Sequence, residues 1–192
     1  ETGLILPIGE WALQAACTEA VGWGRMGWSE LIVAVNLSAV QFRRGQLMQT
    51  VAQVLGQTGL SPTRLELELT ESILIQNVDS VMNALRDFKQ LGVQLSIDDF
   101  GTGYSSLSYL KRFDIDKLKI DQSFVRDLGS NADDAAIVNA IIQLARSLKL
   151  RTIAEGVETP EVAQRLLELG CDEAQGYWFA RPMPADQFRR FL

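Results

Sequence analysis

The sequence contains no histidine, and this absence excludes several large classes of enzyme. Ser-His-Asp and Cys-His nucleophile systems, zinc proteases with an HExxH motif, and hydrolases whose metals are bound by imidazole all need that residue. Any chemistry must therefore use carboxylates, amides and lysine.

Cysteine and long apolar runs are also scarce. Cys17 and Cys171 lie far apart with no CxxC neighbour, so neither a zinc site nor a disulfide framework is predicted, and a reducing, cytoplasmic location fits best. No apolar run approaches the roughly 18 to 20 residues of a membrane helix, and the first residues show no basic region followed by the apolar core typical of a signal peptide. We expect no membrane contact by this segment, although a parent protein could carry a membrane anchor elsewhere.

Basic residues are outnumbered by acidic ones, 18 against 24, and the formal net charge is −6. This balance disfavours binding to a nucleic-acid polymer. A phosphate ligand would therefore need metal ions.

Six short apolar runs alternate with amphipathic stretches, which predicts βαβ units and a parallel sheet. The predicted strands are residues 31–36, 65–69, 93–98, 117–120, 151–155 and 173–176. The predicted helices are residues 6–21, 47–57, 78–91, 106–112, 133–148 and 160–169. Glycines are predicted to follow three helices, at positions 59, 92 and 170, and Thr159 is predicted to cap the last helix. Because no linker rich in proline or serine divides the 192 residues, one domain is predicted over residues 1–192.

The predicted strands have one apolar face and one polar face. Leu65, Leu67 and Leu69 share a face, while Glu66 and Glu68 share the other. An open doubly wound sheet would be apolar on both faces, whereas a closed barrel has one helix-covered face and one lumen face. The fold class predicted is therefore α/β, a (β/α)8-type barrel. Such barrels have eight strands and about 250 residues, so this chain is predicted to be incomplete, with about six of eight strands and without its N-terminal strands.

Polar residues that could take part in catalysis or metal binding lie at the ends of nearly all the predicted strands. They are Asn36, Glu68 with Glu71, Asp98 with Asp99, Lys119 with Asp121, Glu155 with Glu158, and Gln175. Active sites of barrel enzymes lie at these strand ends. A set of oxygen ligands suits two hard cations, Mg²⁺ or Mn²⁺, that share Asp98, and such a pair is suited to phosphodiester hydrolysis. Lys119 would position the hydroxide or the phosphate.

Structural roles are the alternative for several of these residues. Asp98 and Asp99 alone could form a turn or a helix cap. Glu66 and Lys117 lie one step deeper than Glu68 and Lys119, and they are predicted to neutralise each other inside the barrel. The glycines at 101 and 103 do not complete a phosphate-binding motif, so they are predicted to form a mobile loop near the site.

Together these motifs closely resemble the EAL domain of bacterial cyclic di-GMP phosphodiesterases. The matching segments, from first to last along nearly the whole chain, are NLS at 36–38, ELTES at 68–72, DDFGTGYSSL at 98–107, LKID at 118–121, AEGVET at 154–159, QGY at 175–177 and RP at 181–182. One departure is large, because the Glu-Ala-Leu tripeptide that gives the family its name is absent, together with its metal-binding glutamate and a nearby substrate-contacting arginine.

The resemblance implies an EAL-type barrel that uses Mg²⁺ or Mn²⁺ to open cyclic di-GMP to linear pGpG. It implies that the metals are held by Asn36, Glu68, Asp98, Asp99 and Glu155. Lys119 would contact the attacking water, with Glu158 and Gln175 supporting it or hydrating the metals. Glu71 would steady the loop over residues 99–106. Substrate contacts are implied for Asp121, Gln175, Arg181 and Pro182.

The resemblance also implies partners. That loop is linked in the family to dimer contacts, so a homodimer is expected, and a sensory or GGDEF-like diguanylate-cyclase neighbour is expected in the parent chain. Three hypotheses are open: an active phosphodiesterase parent, a receptor that binds cyclic di-GMP without cutting it, and an inactive fragment whose open barrel edges pair with another copy. We expect the parent to be active and the isolated 192 residues to be inactive.

Overall fold

The computed structural model describes residues 3–43, 45–75, 78–103, 110–129 and 131–192. Six strands form one sheet in the order β1-β2-β3-β4-β5-β6. Their bounds are β1 Val33–Leu37, β2 Leu65–Thr70, β3 Gln94–Phe100, β4 Lys117–Ile120, β5 Arg151–Ala154 and β6 Glu173–Ala174. The pairs β1–β2, β4–β5 and β5–β6 are parallel, as the alternation of strands and helices predicts.

Helices fill the connections between the strands. Those described are α1 Ile5–Arg25, α2 Ala39–Arg43, α3 Leu47–Thr58, α4 Glu71–Ile75, α5 Val78–Leu91, α6 Gln122–Val125, α7 Ala132–Ser147, α8 Pro160–Leu169 and α9 Ala185–Phe191. A 3-10 turn covers Pro62–Arg64. Within the described ranges, no helix is both long enough and apolar enough to cross a membrane.

The chain divides into two compact units, and the division falls within β3. The first unit comprises Glu1–Ser96 and Pro184–Leu192. In it, β1 pairs with β2 from Val33↔Leu65 to Leu37↔Leu69, and α1 packs against β1 and α3. The C-terminal helix α9 returns to α1, where the Phe188 ring meets the Trp23 ring edge-on at a centroid distance of 5.0 Å.

The second unit comprises Ile97–Met183. Here β4 pairs with β5 from Lys117↔Arg151 to Ile120↔Ala154, and α7 packs against both strands. The short helix α6 packs against α7.

The apolar strand faces are buried as the alternation predicts. Each side chain in this set is fully excluded from solvent: Leu65, Leu67, Leu69, Val93, Leu95, Ile97, Leu118 and Ile120. Removing such side chains from water supplies the main driving force for folding, about 25 cal/mol per Å² of apolar area. The polar faces of β2, β3 and β4 are also largely buried, which places their charged groups in an environment of low dielectric constant.

Helix ends follow the sequence signals closely. Gly59 and Gly170 cap α3 and α8 in the left-handed conformation, and Gly92 also has a positive φ of 93°. The Thr159 hydroxyl accepts a hydrogen bond from the Val162 amide at 3.3 Å, so the predicted cap of α8 is confirmed.

Several predicted boundaries are wrong by a few residues. β1 covers Val33–Leu37 instead of 31–36, β3 continues to Phe100, β5 stops one residue before Glu155, and β6 has two residues. The predicted helix over 106–112 falls mostly on residues 104–109, which lie outside the described ranges.

Helix α1 passes its predicted end at residue 21 and reaches Arg25, although the extension contains Gly22 and Gly24. A Cβ atom on Gly24 would lie 2.8 Å from Arg64 Nη1. The glycine therefore leaves room for the Arg64 guanidinium, which donates hydrogen bonds to the carbonyls of Ala20 and Leu31, each at 2.9 Å. These tertiary contacts outweigh the modest helix penalty of glycine, about 1 kcal/mol.

Both cysteines are free thiols, in agreement with the prediction of no disulfide framework. Burial raises the pKa of the Cys17 thiol to about 11. Burial also raises the pKa of Cys171. Both groups therefore stay protonated at neutral pH.

Candidate active site

Three carboxylates of the second unit converge where strands β3 and β5 end. Asp98 and Asp99 lie near the carboxyl end of β3, and Glu155 directly follows β5. One oxygen from each of these side chains lies within 4.8 Å of the others. Two strand ends thus deliver three acidic groups to one point, as the sequence predicts.

The backbone at Asp99 explains how two consecutive residues serve the same site. In a regular strand, neighbouring side chains point to opposite faces. Asp99 has a φ of +54°, a left-handed conformation that is uncommon outside glycine but tolerated best by Asn and Asp. This turn lets the Asp99 carboxylate join Asp98 instead of facing the opposite side of the sheet.

Lys119 lies between two of the carboxylates. Its Nζ atom is 2.9 Å from Asp98 Oδ1 and 2.7 Å from Glu155 Oε1. The ammonium is almost completely buried, and at these distances in a partly dehydrated site the attraction is stronger than in water. Lys119 therefore holds the ends of β3 and β5 together through charge.

Gln175 provides a second support for Glu155. Its Nε2 atom donates a hydrogen bond to Glu155 Oε1 at 2.7 Å, the same oxygen that Lys119 contacts. Both donors converge on one oxygen and orient the carboxylate. A hydrogen bond to an ionised group is stronger than one between neutral groups.

The electrostatics of the cluster are unfavourable for three ionised carboxylates. Burial, followed by the charges of Asp98 and Asp121, raises the pKa of Asp99, while Lys119 opposes the shift. Burial also raises the pKa of Glu155, against the hydrogen bond and charge of Lys119. A cation bound among these oxygens would relieve both effects.

Asp121 plays a structural part at the start of α6. Its carboxylate caps the helix by accepting hydrogen bonds from the Ser123 amide at 2.9 Å and from the Ser123 hydroxyl. Asp121 also interacts with the Asp99 side chain. The residue predicted to contact substrate thus anchors a helix beside the carboxylate cluster.

In the first unit, Asn36 and Glu68 lie opposite each other at the carboxyl ends of β1 and β2. Glu68 is buried, whereas Asn36 is exposed. Glu71 begins α4 and is buried. The loop that Glu71 was predicted to steady includes residues 104–106, which lie outside the described ranges.

The remaining predicted residues are exposed. Glu158 lies in the connection between β5 and α8, and Arg181 and Pro182 lie between β6 and α9. The Arg181 guanidinium stacks over the Tyr177 ring at 4.9 Å. This cation–π contact orients a positive group in the segment that follows Gln175.

The deeper lysine, Lys117, belongs to a separate ion pair. Its Nζ atom lies 2.7 Å from Glu173 Oε2, and the other oxygen of Glu173 lies 2.9 Å from Arg151 Nη1. Sequence analysis did not name this network, although strand parity places all three residues on one face. The predicted pairing of Lys117 with Glu66 stays a prediction.

The cluster fits a hard divalent cation. Its donors are carboxylate oxygens gathered in a partly buried site, the ligand type preferred by Mg²⁺ and Mn²⁺. Asp98, Asp99 and Glu155 are the residues that could hold such an ion. The fold and this cluster define a parallel α/β protein with a candidate metal site at the ends of its strands.

Comparison with known proteins assigns the family. The EAL domain model matches residues 1–182. MucR of Pseudomonas aeruginosa, a bifunctional diguanylate cyclase/cyclic di-GMP phosphodiesterase, is 47% identical over 187 residues, which cover 97% of this chain and 27% of MucR. The cyclic di-GMP phosphodiesterase PdeR of Escherichia coli is 42% identical over 191 residues, which cover 100% of this chain and 29% of PdeR. The chain belongs to the EAL domain family.

A solved structure confirms the predicted fold class. The structure of the P. aeruginosa MucR phosphodiesterase in complex with c-di-GMP matches with a TM-score of 0.94 and 47% identity, over 97% of this chain and 76% of that chain. The fold is the (β/α)8-type barrel of EAL domains, of which the described residues contribute six strands. The chain spans about a quarter of the length of the curated relatives it matches.

Proposed function

We propose that this chain is the catalytic part of a cyclic di-GMP phosphodiesterase that uses Mg²⁺ or Mn²⁺ to produce linear pGpG. The observation that carries the proposal is the convergence of Asp98, Asp99 and Glu155 around one point, with Lys119 joined to two of them. Membership of the EAL family and the phosphodiesterase activities of the relatives MucR and PdeR support it.

The proposed roles combine the family resemblance with the geometry of the three clustered carboxylates. Asp98, Asp99 and Glu155 would hold metal, and Asn36 and Glu68 are proposed as further ligands. When bound, two divalent cations activate water and stabilise the charge that develops on the phosphate. Glu158 supports the site, Glu71 supports the neighbouring loop, and Asp121, Gln175, Arg181 and Pro182 contact the substrate.

Lys119 is proposed to orient the water that attacks phosphorus. Its position 2.9 Å from Asp98 and 2.7 Å from Glu155 leaves the ammonium fixed between two carboxylates. Water adds to phosphorus as the bond to the ribose 3′ oxygen breaks, and that oxygen receives a proton. The product therefore carries one 5′-phosphate and one 3′-hydroxyl end.

The wider context is proposed on the same basis. We propose that residues 1–192 act as one domain of a longer cytoplasmic protein that forms a homodimer. A neighbouring diguanylate-cyclase-like domain is supported by MucR, a relative that is both a diguanylate cyclase and a cyclic di-GMP phosphodiesterase. Sedimentation of the parent protein tests the dimer, and a strictly monomeric, folded species would contradict it.

The test of the activity is chromatography of cyclic di-GMP incubated with Mn²⁺ and the parent protein, run beside this chain alone. The parent is expected to form linear product and the isolated chain none. Asp98→Asn should reduce turnover by more than about 100-fold because it removes a charged ligand. Asp87→Asn is the matched control. Asp87 is an exposed aspartate on α5 and does not belong to the carboxylate cluster.

Two outcomes would contradict this function. A folded parent that binds cyclic di-GMP tightly without turnover would instead be a receptor. Equal losses in Asp98→Asn and Asp87→Asn would show that the carboxylate cluster is not the site of the reaction.

A further inference from the structure

The short helix α6 lies beside the two glycines that follow the candidate metal carboxylates. Gly101 comes two residues after Asp99 at the end of β3, and Gly156 comes directly after Glu155 at the end of β5. Each glycine has a positive φ, 100° at Gly101 and 70° at Gly156. The two segments that carry the carboxylates therefore leave their strands through glycines of unusual conformation.

Gly101 is packed against the aromatic ring of α6. A Cβ atom on Gly101 would lie 3.1 Å from Phe124 Cε2 and 3.2 Å from Ile141 Cδ1. The ring is half-buried, and the missing side chain of the glycine is what allows it to approach the backbone. Phe124 thus supports the segment that leaves β3 just after Asp99.

Gly156 is packed against the first residue of the same helix. A Cβ atom on Gly156 would lie 2.7 Å from Gln122 Cβ and 3.5 Å from Gln122 Cα. This contact is with the rigid base of the side chain and with the backbone, so it depends on where the helix lies. Gln122 thus supports the segment that leaves β5 just after Glu155.

Helix α6 is itself fixed at three points. Asp121 caps its first turn, Val125 is fully buried, and the helix packs against α7. Asp121 also interacts with Asp99. A fixed element that contacts both carboxylate-bearing segments determines how far apart those segments lie.

We propose that α6 sets the spacing between the β3 and β5 carboxylates, with Phe124 and Gln122 as positioning residues for Asp98, Asp99 and Glu155. The inference rests on one part of the proposed function, the binding of a divalent cation by these carboxylates. It does not depend on which substrate is hydrolysed.

The test is titration of the chain with Mn²⁺ in the absence of nucleotide, followed by electron paramagnetic resonance of free Mn²⁺, for Phe124→Ala, Phe124→Leu and an unaltered chain. Phe124→Ala should weaken Mn²⁺ binding by about tenfold or more, the range seen when residues that orient metal ligands are altered. Phe124→Leu should recover part of the affinity because it restores much of the lost volume.

Leu128→Ala provides the matched control. Leu128 is a buried apolar residue that follows α6, and its side chain is not among the atoms that crowd Gly101 or Gly156. Thermal unfolding, followed by circular dichroism, should show that both alanine variants are folded and less stable. Only Phe124→Ala should change the Mn²⁺ affinity.

Three results would overturn the proposal. They are a folded Phe124→Ala chain with unaltered Mn²⁺ affinity, an equal loss of affinity in Leu128→Ala, and an unaltered chain that binds no Mn²⁺ at millimolar concentration. Loss of affinity in Phe124→Ala, combined with no hydrolysis of cyclic di-GMP by the parent protein, would support the positioning role and refute the proposed activity.

Discussion

Two lysines of β4 share a strand face and have different environments. Lys119 contacts Asp98 and Glu155 of the carboxylate cluster, while Lys117 contacts Glu173, which also binds Arg151. Their exposed fractions are similar, 3% for Lys119 and 5% for Lys117. Comparing variants of the two lysines therefore separates the effect of losing a cation at the carboxylate cluster from the effect of losing any buried cation.

Replacing Lys119 by methionine should abolish most turnover in the parent protein, by more than about 100-fold, because the group that orients the attacking water is lost. Mn²⁺ affinity should be maintained or increased, since one cation that competes for Asp98 and Glu155 is removed. Product formation and Mn²⁺ titration check these two expectations separately.

Lys117→Met is the control for that experiment. It removes the buried cation beside Glu173, a partly exposed carboxylate that keeps Arg151 as a partner, so the chain should be destabilised. It should lower the unfolding temperature and change turnover of the folded fraction by less than tenfold. If both variants lose the same turnover while folded, Lys119 has no special role.

At the scale of elements, the loops that follow β3 and β5 depend on glycines for a close approach to α6. Gly156 has a φ of +70°, and a side chain there would meet Gln122. Gly59, at the end of α3, has a φ of +73°, and a Cβ atom there would meet nothing within 4 Å. The two glycines have nearly the same φ and differ in their surroundings.

Gly156→Ala should therefore destabilise the chain more than Gly59→Ala. Both carry the cost of a left-handed alanine, about 1–2 kcal/mol, but Gly156→Ala adds a collision with Gln122 that moves α6 or Glu155. Chemical denaturation measures the difference, and Mn²⁺ titration should show weaker binding for Gly156→Ala alone. Equal stability and equal affinity in the two variants would contradict a tight contact between Gly156 and α6.

At the scale of the whole molecule, the two ends of the chain meet within the first unit. Arg189 on α9 forms hydrogen bonds to both carboxylate oxygens of Glu19 on α1, at 2.6 and 2.7 Å from Nη2. Because the ion pair is partly exposed, it orients α9 on α1 but adds little to the free energy of unfolding. The aromatic contact between Phe188 and Trp23 supplies the apolar part of this closure.

Phe188→Ala should lower the free energy of unfolding by about 1–3 kcal/mol, since it removes an aromatic contact and apolar burial. Phe191→Ala should lower it by less, because Phe191 stacks on Phe188 at a centroid distance of 6.2 Å but is 60% exposed. Urea denaturation followed by tryptophan fluorescence checks both. An equal effect of the two variants would show that α9 is not held through Phe188.

Much of the fold and of the site could be predicted from local patterns. The alternation of leucine with charged residues in β2 marks its apolar face, and Gly59, Gly170 and Thr159 mark helix ends. The short helices α2, α4, α6 and α9 were not predicted because segments of four to seven residues contain too little of the helical period to be recognised. The functional importance of α6 was invisible for the same reason.

The sequence by itself determined the family, the parallel order of the strands and the acidic residues at their ends, because these depend on residue type and on short spacings. Only the tertiary structure decided that Lys119 joins Asp98 to Glu155, that Glu173 pairs with Lys117, and that α6 supports both carboxylate segments. Those contacts link residues from different strands and loops, with side chains whose neighbours are set by packing. A left-handed turn at Asp99 then brings adjacent carboxylates to one point, which a strand pattern with a period of two does not predict.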